Sequence, residues 1–152
     1  MRLTIVAVGR AKGAEAALVD DYLARATRTG RALGIGPAAL AEVDERKGGD
    51  PVREARLIEA RIGRGARCIP LDERGEMLTS PAFADRLAMA RDEGCREVAF
   101  LIGGADGLAP HLREGAVSFG RMVWPHMLAR VMLAEQIYRA TTILAGGPYH
   151  RV

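Results

Sequence analysis

No apolar run in these 152 residues is long enough to cross a membrane or to form the core of a signal peptide, the longest early one being Leu3 to Val8. This absence points to a cytoplasmic protein. Cysteine is scarce: Cys68 and Cys95 stand 27 positions apart, in neither a C-x-x-C nor a zinc-site arrangement. Reduced thiols of a cytosolic chain are expected, with no structural metal. A phosphate loop after the first strand is missing as well. "GRAKG" at 9–13 lacks the ordered glycines and hydroxyls that a flavodoxin-type nucleotide site needs. There is no internal repeat and no low-complexity segment.

Large charge imbalance is also absent, since the net charge is only +3. Its location is informative. Residues 121–152 contain Arg121, Arg130, Arg139 and Arg151 against Glu135 alone, so the whole excess lies there. Residues 1–120 balance at 18 basic and 18 acidic side chains. An anionic partner at the carboxyl-terminal end is indicated.

What is present fits one domain over residues 1–152, with 49% apolar residues for its core. Leu3–Val8 reads as a buried parallel strand, and residues 14–29 as an amphipathic helix. A weaker strand covers Ala38–Val43, and the charged "DERKGGDP" at 44–51 reads as a mobile surface loop. Asp50-Pro51 opens a helix to about Gly63. A third strand is Arg67–Leu71, ending at "DERGE". Ser80-Pro81 starts a helix through Asp92, Val98–Ile102 is a fourth strand, and a short helix begins near Pro110. A fifth strand spans about Val117–Val123, before a long helix from Pro125 to about Ala145. Strands alternating with helices predict a three-layer α/β domain with a mainly parallel sheet.

Ligands of such sheets bind outside the carboxyl ends of the strands. There the chain reads "FLIGGADGL" (100–108), a buried strand stopped by glycines 103, 104 and 107. These glycines permit positive φ and close approach to the main chain, or simply make a tight turn. Trp124-Pro125-His126 places an imidazole at the positive end of the last helix, where a neutral ring able to accept a proton is favoured. His126 and Arg130 fall on one side of that helix, which is apolar nearly all round. One cover for it is the sheet, and a second subunit is the simplest other. The tail "PYHR" sets Tyr149, His150 and Arg151 side by side, a group suited to stacking on a base and touching phosphate. Two preceding glycines allow it to swing.

"LIGGADGL" at 101–108, "WPHMLARVMLAEQIYRA" at 124–140, the terminal "GGPYHR" and the opening "LTIVAVGRAK" resemble the bacterial large-subunit rRNA pseudouridine N3-methyltransferases, the small RlmH-like members of the SPOUT superfamily. The resemblance spans the chain. It implies an α/β domain with a C-terminal trefoil knot, a topology that pattern rules would reject. It also implies a homodimer through the C-terminal helix, and S-adenosyl-L-methionine held in the knot. The glycines of "GGADGL" would then keep side chains out of the cofactor's space, although "GADG" departs from the proline with glutamate or serine common there.

Carried over by motif, the cofactor contacts are Leu71, Gly103 and the segment Phe119, Gly120, Arg121, Met122, Val123 and Trp124 before Pro125-His126. The implied reaction is methylation at N3 of a pseudouridine in the helix 69 loop of 23S rRNA on the assembled 70S ribosome. His126 is the first candidate for the proton acceptor and His150 from the partner's tail the second. Arg130, Tyr149, His150 and Arg151 are the candidate RNA contacts. The rival reading is a ribosome-associated binding protein without catalysis.

Overall fold

The computed structural model describes residues 1–45 and 49–151. Part of the loop predicted to be mobile, residues 46–48, lies outside the described residues. Five strands pair in parallel in the order β2-β1-β4-β3-β5: β1 Arg2–Val8, β2 Ala38–Val43, β3 Arg67–Met77, β4 Glu97–Ile102 and β5 Val117–Ser118. The central pair, β1 and β4, is buried along almost its whole length, which is why both read as continuous apolar runs.

One face of the sheet is covered by α1 (Gly13–Gly30), α3 (Ser80–Asp92) and α4 (His126–Leu144). Leu3, Ile5 and Phe100 pack there against Leu23, Leu87, Leu133 and Ile137. The other face carries α2 (Pro51–Glu59) and the segment around Leu108, packed on Val6, Val8 and Leu101. The expected three-layer α/β fold is therefore observed. Two 3₁₀ turns, Arg31–Leu33 and Pro110–Leu112, complete the elements among the described residues.

Helix starts follow their cap residues. Asp50 Oδ1 accepts from Arg53 N at 3.1 Å, with Pro51 as the first residue of α2. The cap of α3 is Thr79, whose hydroxyl accepts from Ala82 N at 3.2 Å, one residue before the predicted Ser80. The strand predicted over 117–123 stops at Ser118, because its hydroxyl bonds Gly120 N and Gly120 O and folds the chain away from the sheet. In contrast, β3 runs past Leu71. Leu71 and Glu76 both pair with Val117, so residues 72–75 leave the sheet as a lip.

The surroundings of α4 differ from those foreseen. Helices α1 and α3 flank it within the same chain, so a second subunit is not required to cover its sides. Its remaining outer face borders an apolar groove of about 630 Å³ lined by Tyr22, Leu78, Phe83, Phe119, Val131 and Met132.

Candidate active site

The carboxyl ends of β3, β4 and β5 and the start of α4 surround a cavity of about 300 Å³. Of the eight positions expected to hold a cofactor, Leu71, Gly103, Phe119, Gly120, Met122, Val123 and Trp124 line it, and His126 and the whole of 103–107 line it too. Arg121 is exposed and lies outside the lining. The residues come together because β4 sits between β1 and β3, which brings its glycine loop against the 119–124 segment. Met122 and Val123 remain 71% and 79% exposed, so the cavity has an apolar rim open to solvent.

The glycines act differently from the expectation that they adopt positive φ and empty the pocket. Gly103 and Gly104 have ordinary φ; only Gly107, at φ +75°, needs the left-handed region. A Cβ on Gly103 would lie 2.6 Å from Gly107 O and 2.7 Å from Leu108 N, inside the loop itself. A Cβ on Gly104 would press on Val8 and on the carboxylates of Glu45 and Glu54. These two glycines let the loop close on itself, with Gly107 N donating to Gly104 O at 3.0 Å. By contrast, a Cβ on Gly107 or Gly120 would meet no protein atom within 4 Å.

Arg130 is a correction. It was expected to touch RNA, yet its side chain is wholly buried. Nη1 donates to Glu42 Oε1 at 2.7 Å, and Nη2 donates to the carbonyls of Val8 and Gly9 at 3.0 and 3.2 Å. Its Nε has no hydrogen-bond partner. Burial pushes this guanidinium below its usual pKa, and the Glu42 carboxylate opposes that shift. Arg130 ties the first turns of α4 to the end of β1 and is closed off from any substrate.

The tail is not free to swing either. Tyr149 donates to Glu135 Oε1 at 3.0 Å, its ring lies 4.7 Å from that of Tyr138, and Arg139 lies over its face. Burial, with the Glu135 carboxylate, raises the Tyr149 hydroxyl above the ordinary phenol range. Arg139 Nη1 donates to His150 Nδ1 at 3.3 Å, so a neutral His150 ring carries its proton on Nε2. Arg151 is exposed. His150 therefore sits beside Arg139, which is 13 residues along α4 from His126, roughly 20 Å at the helical rise. One chain does not bring its two candidate bases together.

Sequence reading missed a further set at the cavity. Asp72, with a side chain only 9% exposed, accepts from Arg74 through Nε at 2.8 Å and Nη2 at 3.0 Å. Arg113 Nε donates to Leu108 O at 2.7 Å and lies 3.5 Å from the same carboxylate. Hydrogen bonds from Arg74 hold Asp72 below the usual carboxylate range. "DERGE" gave the local signal, but Arg113 is 41 residues away from Asp72 and nothing in the spacing joins them.

Residues 1–150 match the family model described as "Predicted SPOUT methyltransferase". The chain belongs to the SPOUT methyltransferase family. It is 62% identical over 155 residues to the Ribosomal RNA large subunit methyltransferase H of Paracoccus denitrificans, covering 99% of each chain. It is 62% identical to the protein of that name from Cereibacter sphaeroides and 58% identical to that from Ruegeria pomeroyi, in both cases over 100% of each chain.

A SPOUT methyltransferase uses a methyl donor, and the cavity suits S-adenosylmethionine. Its volume is at the lower end of small-molecule sites. Gly107 and Gly120 leave clear space where side chains would otherwise project, and both line the cavity. Leu71, Phe119 and Trp124 offer apolar surface, while the main chain of 103–107 offers polar groups. Among the described residues, no group of three or more His, Cys, Asp or Glu side chains could hold a metal. No helix among the described residues is long and apolar enough to cross a membrane.

Proposed function

We propose that this SPOUT protein methylates large-subunit rRNA with S-adenosylmethionine. The acceptor is N3 of a pseudouridine in the helix 69 loop of 23S rRNA, reached on the assembled 70S ribosome in the cytoplasm. The observation that carries the reading is the convergence on one cavity of Leu71, the 103–107 loop, Phe119–Gly120, Met122–Trp124 and His126. This occurs in a chain 62% identical, over 99–100% of its length, to proteins named for rRNA methylation.

S-adenosylmethionine, when bound, supplies a methyl group already activated on a sulfonium. The chain's own task is then to position and to manage one proton. Leu71, Gly103 and the 119–124 segment would hold the cofactor, chiefly through main chain and apolar surface, and the C-terminal segment would be threaded as the family's trefoil knot. N3 of the base must lose a proton. His126, which lines the cavity, would accept it. The acceptor base must be out of its stack, since N3 lies on the pairing edge.

The tail enters from a second copy. Roughly 20 Å of α4 separates His150 from its own chain's cavity, so a homodimer is the arrangement that lets Tyr149, His150 and Arg151 approach one. The apolar groove beside Val131 and Met132 gives α4 a face for that contact. The groove and the cavity share Val117–Gly120 as a wall, which would place a partner docked in the groove next to the site.

Transfer of label from S-adenosylmethionine to 70S particles, separate subunits and naked rRNA, followed by mapping of the modified base, tests the reading. Methylation of 70S particles at the pseudouridine N3 is expected. Label confined to free subunits, or on another base, would remove the finer assignment; no transfer to any rRNA would remove the reading itself. Sedimentation at micromolar concentration should show a dimer.

A further inference from the structure

The lip at residues 72–75 is a built object. It leaves the sheet where Leu71 and Glu76 both face Val117, and Gly75 permits this because a Cβ there would lie 2.6 Å from Ala116 O. Asp72 folds back to accept from the main chain of Arg74 at 3.0 Å as well as from its guanidinium. A single nearly buried carboxylate thus fixes two arginines. Arg74 sits on the lip itself, and Arg113 arrives from beyond the glycine loop, which it holds through Leu108 O.

Both guanidiniums keep donors in reserve. Asp72 takes only Nε and Nη2 of Arg74, and among the described residues no hydrogen bond engages Arg74 Nη1 or either terminal nitrogen of Arg113. Two positive charges held by one negative charge leave the triad with an excess of one. Glu73 and Asp106 also line the cofactor cavity and offset that excess there, while Glu76 is paired with Arg86 at 2.6 Å. Asp72, Arg74 and Arg113 line the cofactor cavity on one side and, on the other, a cleft of about 560 Å³ with Gly75, Glu76, Arg86 and Gly115, where three arginines stand against two carboxylates.

Resting on the functional reading above, we propose that Arg74 and Arg113, oriented by Asp72, form a docking point for a backbone phosphate of the RNA strand entering the cavity. An arginine fixed by a carboxylate presents its remaining N–H groups at low entropic cost, and guanidinium edges match phosphate oxygens. Arg74 stands at the mouth with its side chain 63% exposed, where a strand would pass. The carboxylate of the cofactor's methionine moiety has related chemistry, but Gly103 and Phe119 do not line the outer cleft. That position favours phosphate.

The test uses the full-length protein and 70S ribosomes. Arg74→Ala should raise KM for ribosomes about tenfold, with kcat at saturating ribosomes within about twofold, and should flatten the salt dependence of ribosome binding by about one counterion. Arg74→Lys should restore most of the salt slope but not the affinity, since a lysine keeps the charge and loses the bidentate hold. Arg64→Ala, on an exposed turn ahead of β3, should leave both unchanged. Cofactor affinity by calorimetry should be the same in all three. A fall in cofactor affinity for Arg74→Ala would give the pair to the cofactor's carboxylate and overturn the proposal. Unaltered ribosome affinity and salt slope would overturn it equally. Ribosome binding is read without turnover, so a wild-type protein that binds but fails to methylate counts against the functional reading and not against the docking point.

Discussion

The two ends of the parallel sheet are made of the same apolar strands and finish in opposite ways. At the amino ends the Glu97 carboxylate, with a 6% exposed side chain, is fully engaged: Oε2 accepts from Arg2 at 2.7 Å and Oε1 from Thr4 at 2.6 Å. Gly63 is a glycine because that carboxylate occupies the place of its side chain. Met1 and Gly34 close the same edge, the terminal ammonium donating to Gly34 O at 2.7 Å. At the carboxyl ends there is a cavity, a loop of glycines and a rim of exposed Met122, Val123 and Trp124. Arg130, one of several buried charged groups there, has an Nε without a hydrogen-bond partner, although it is itself closed off from substrate. One end is finished by local hydrogen bonding; the other leaves polar groups and apolar surface for something else.

The contrast is sharpened most by changes at the open end. Gly103→Val would force the glycine loop apart, since its side chain meets Gly107 and Leu108 main chain and not the cofactor's space. Affinity for S-adenosylmethionine in calorimetry should fall by roughly 100-fold or more, with a stability loss of about 1–3 kcal/mol from overpacking. Undiminished affinity would separate the loop from the site. Arg130→Met removes the donor to Val8 O, Gly9 O and Glu42 and leaves Glu42 without its cation, with only Ala11 N still donating to it. A loss of about 3 kcal/mol in denaturant unfolding is expected.

At the closed end, Glu97→Gln should cost less, about 1–2 kcal/mol at neutral pH, because the Thr4 bond and most of the packing survive. Its signature is pH dependence. Burial alone would raise the Glu97 carboxyl, but the hydrogen bonds from Arg2 and Thr4 outweigh it and hold the pKa below the usual value of 4.5. Its stabilisation is therefore complete above that value and disappears as pH falls through the lower folded pKa. Glu97→Gln should unfold with a flatter acid limb than the wild type. Glu54 works in the opposite sense: burial raises it, so whatever its ionisation costs appears as pH rises above 4.5. The smallest effect belongs to the tail. Tyr149→Phe removes one hydrogen bond to Glu135, about 1 kcal/mol, and should make residues 149–151 exchange faster by NMR while leaving cofactor affinity alone.

Much of this architecture was legible. Continuous apolar runs located β1 and β4, Asp50-Pro51 opened α2, and Pro125-His126 marked the start of α4 to within a residue. The cavity followed from the rule that strand carboxyl ends bind ligands, together with the glycines at 103–107. What was not legible depends on long-range geometry. Ser118 ends β5 through a hydroxyl contact that propensity does not encode. Arg130 looks like any helical arginine until Glu42, 88 positions earlier, is found opposite it. The tail reads as a free end because two glycines precede it, yet Tyr149 returns to Glu135 once α4 has turned both residues to the same side.

The wall at Val117–Gly120 belongs to two cavities at once, the cofactor cavity on one side and the apolar groove on the other. A partition cannot shift toward one compartment without enlarging the other. Any occupant that displaces Phe119 therefore changes the free energy of filling the opposite side. By linkage the effect is reciprocal and equal in both directions. If a second copy fills the groove, as proposed, subunit association measured with and without cofactor, and cofactor affinity measured across a range of protein concentration, are two readings of a single coupling constant.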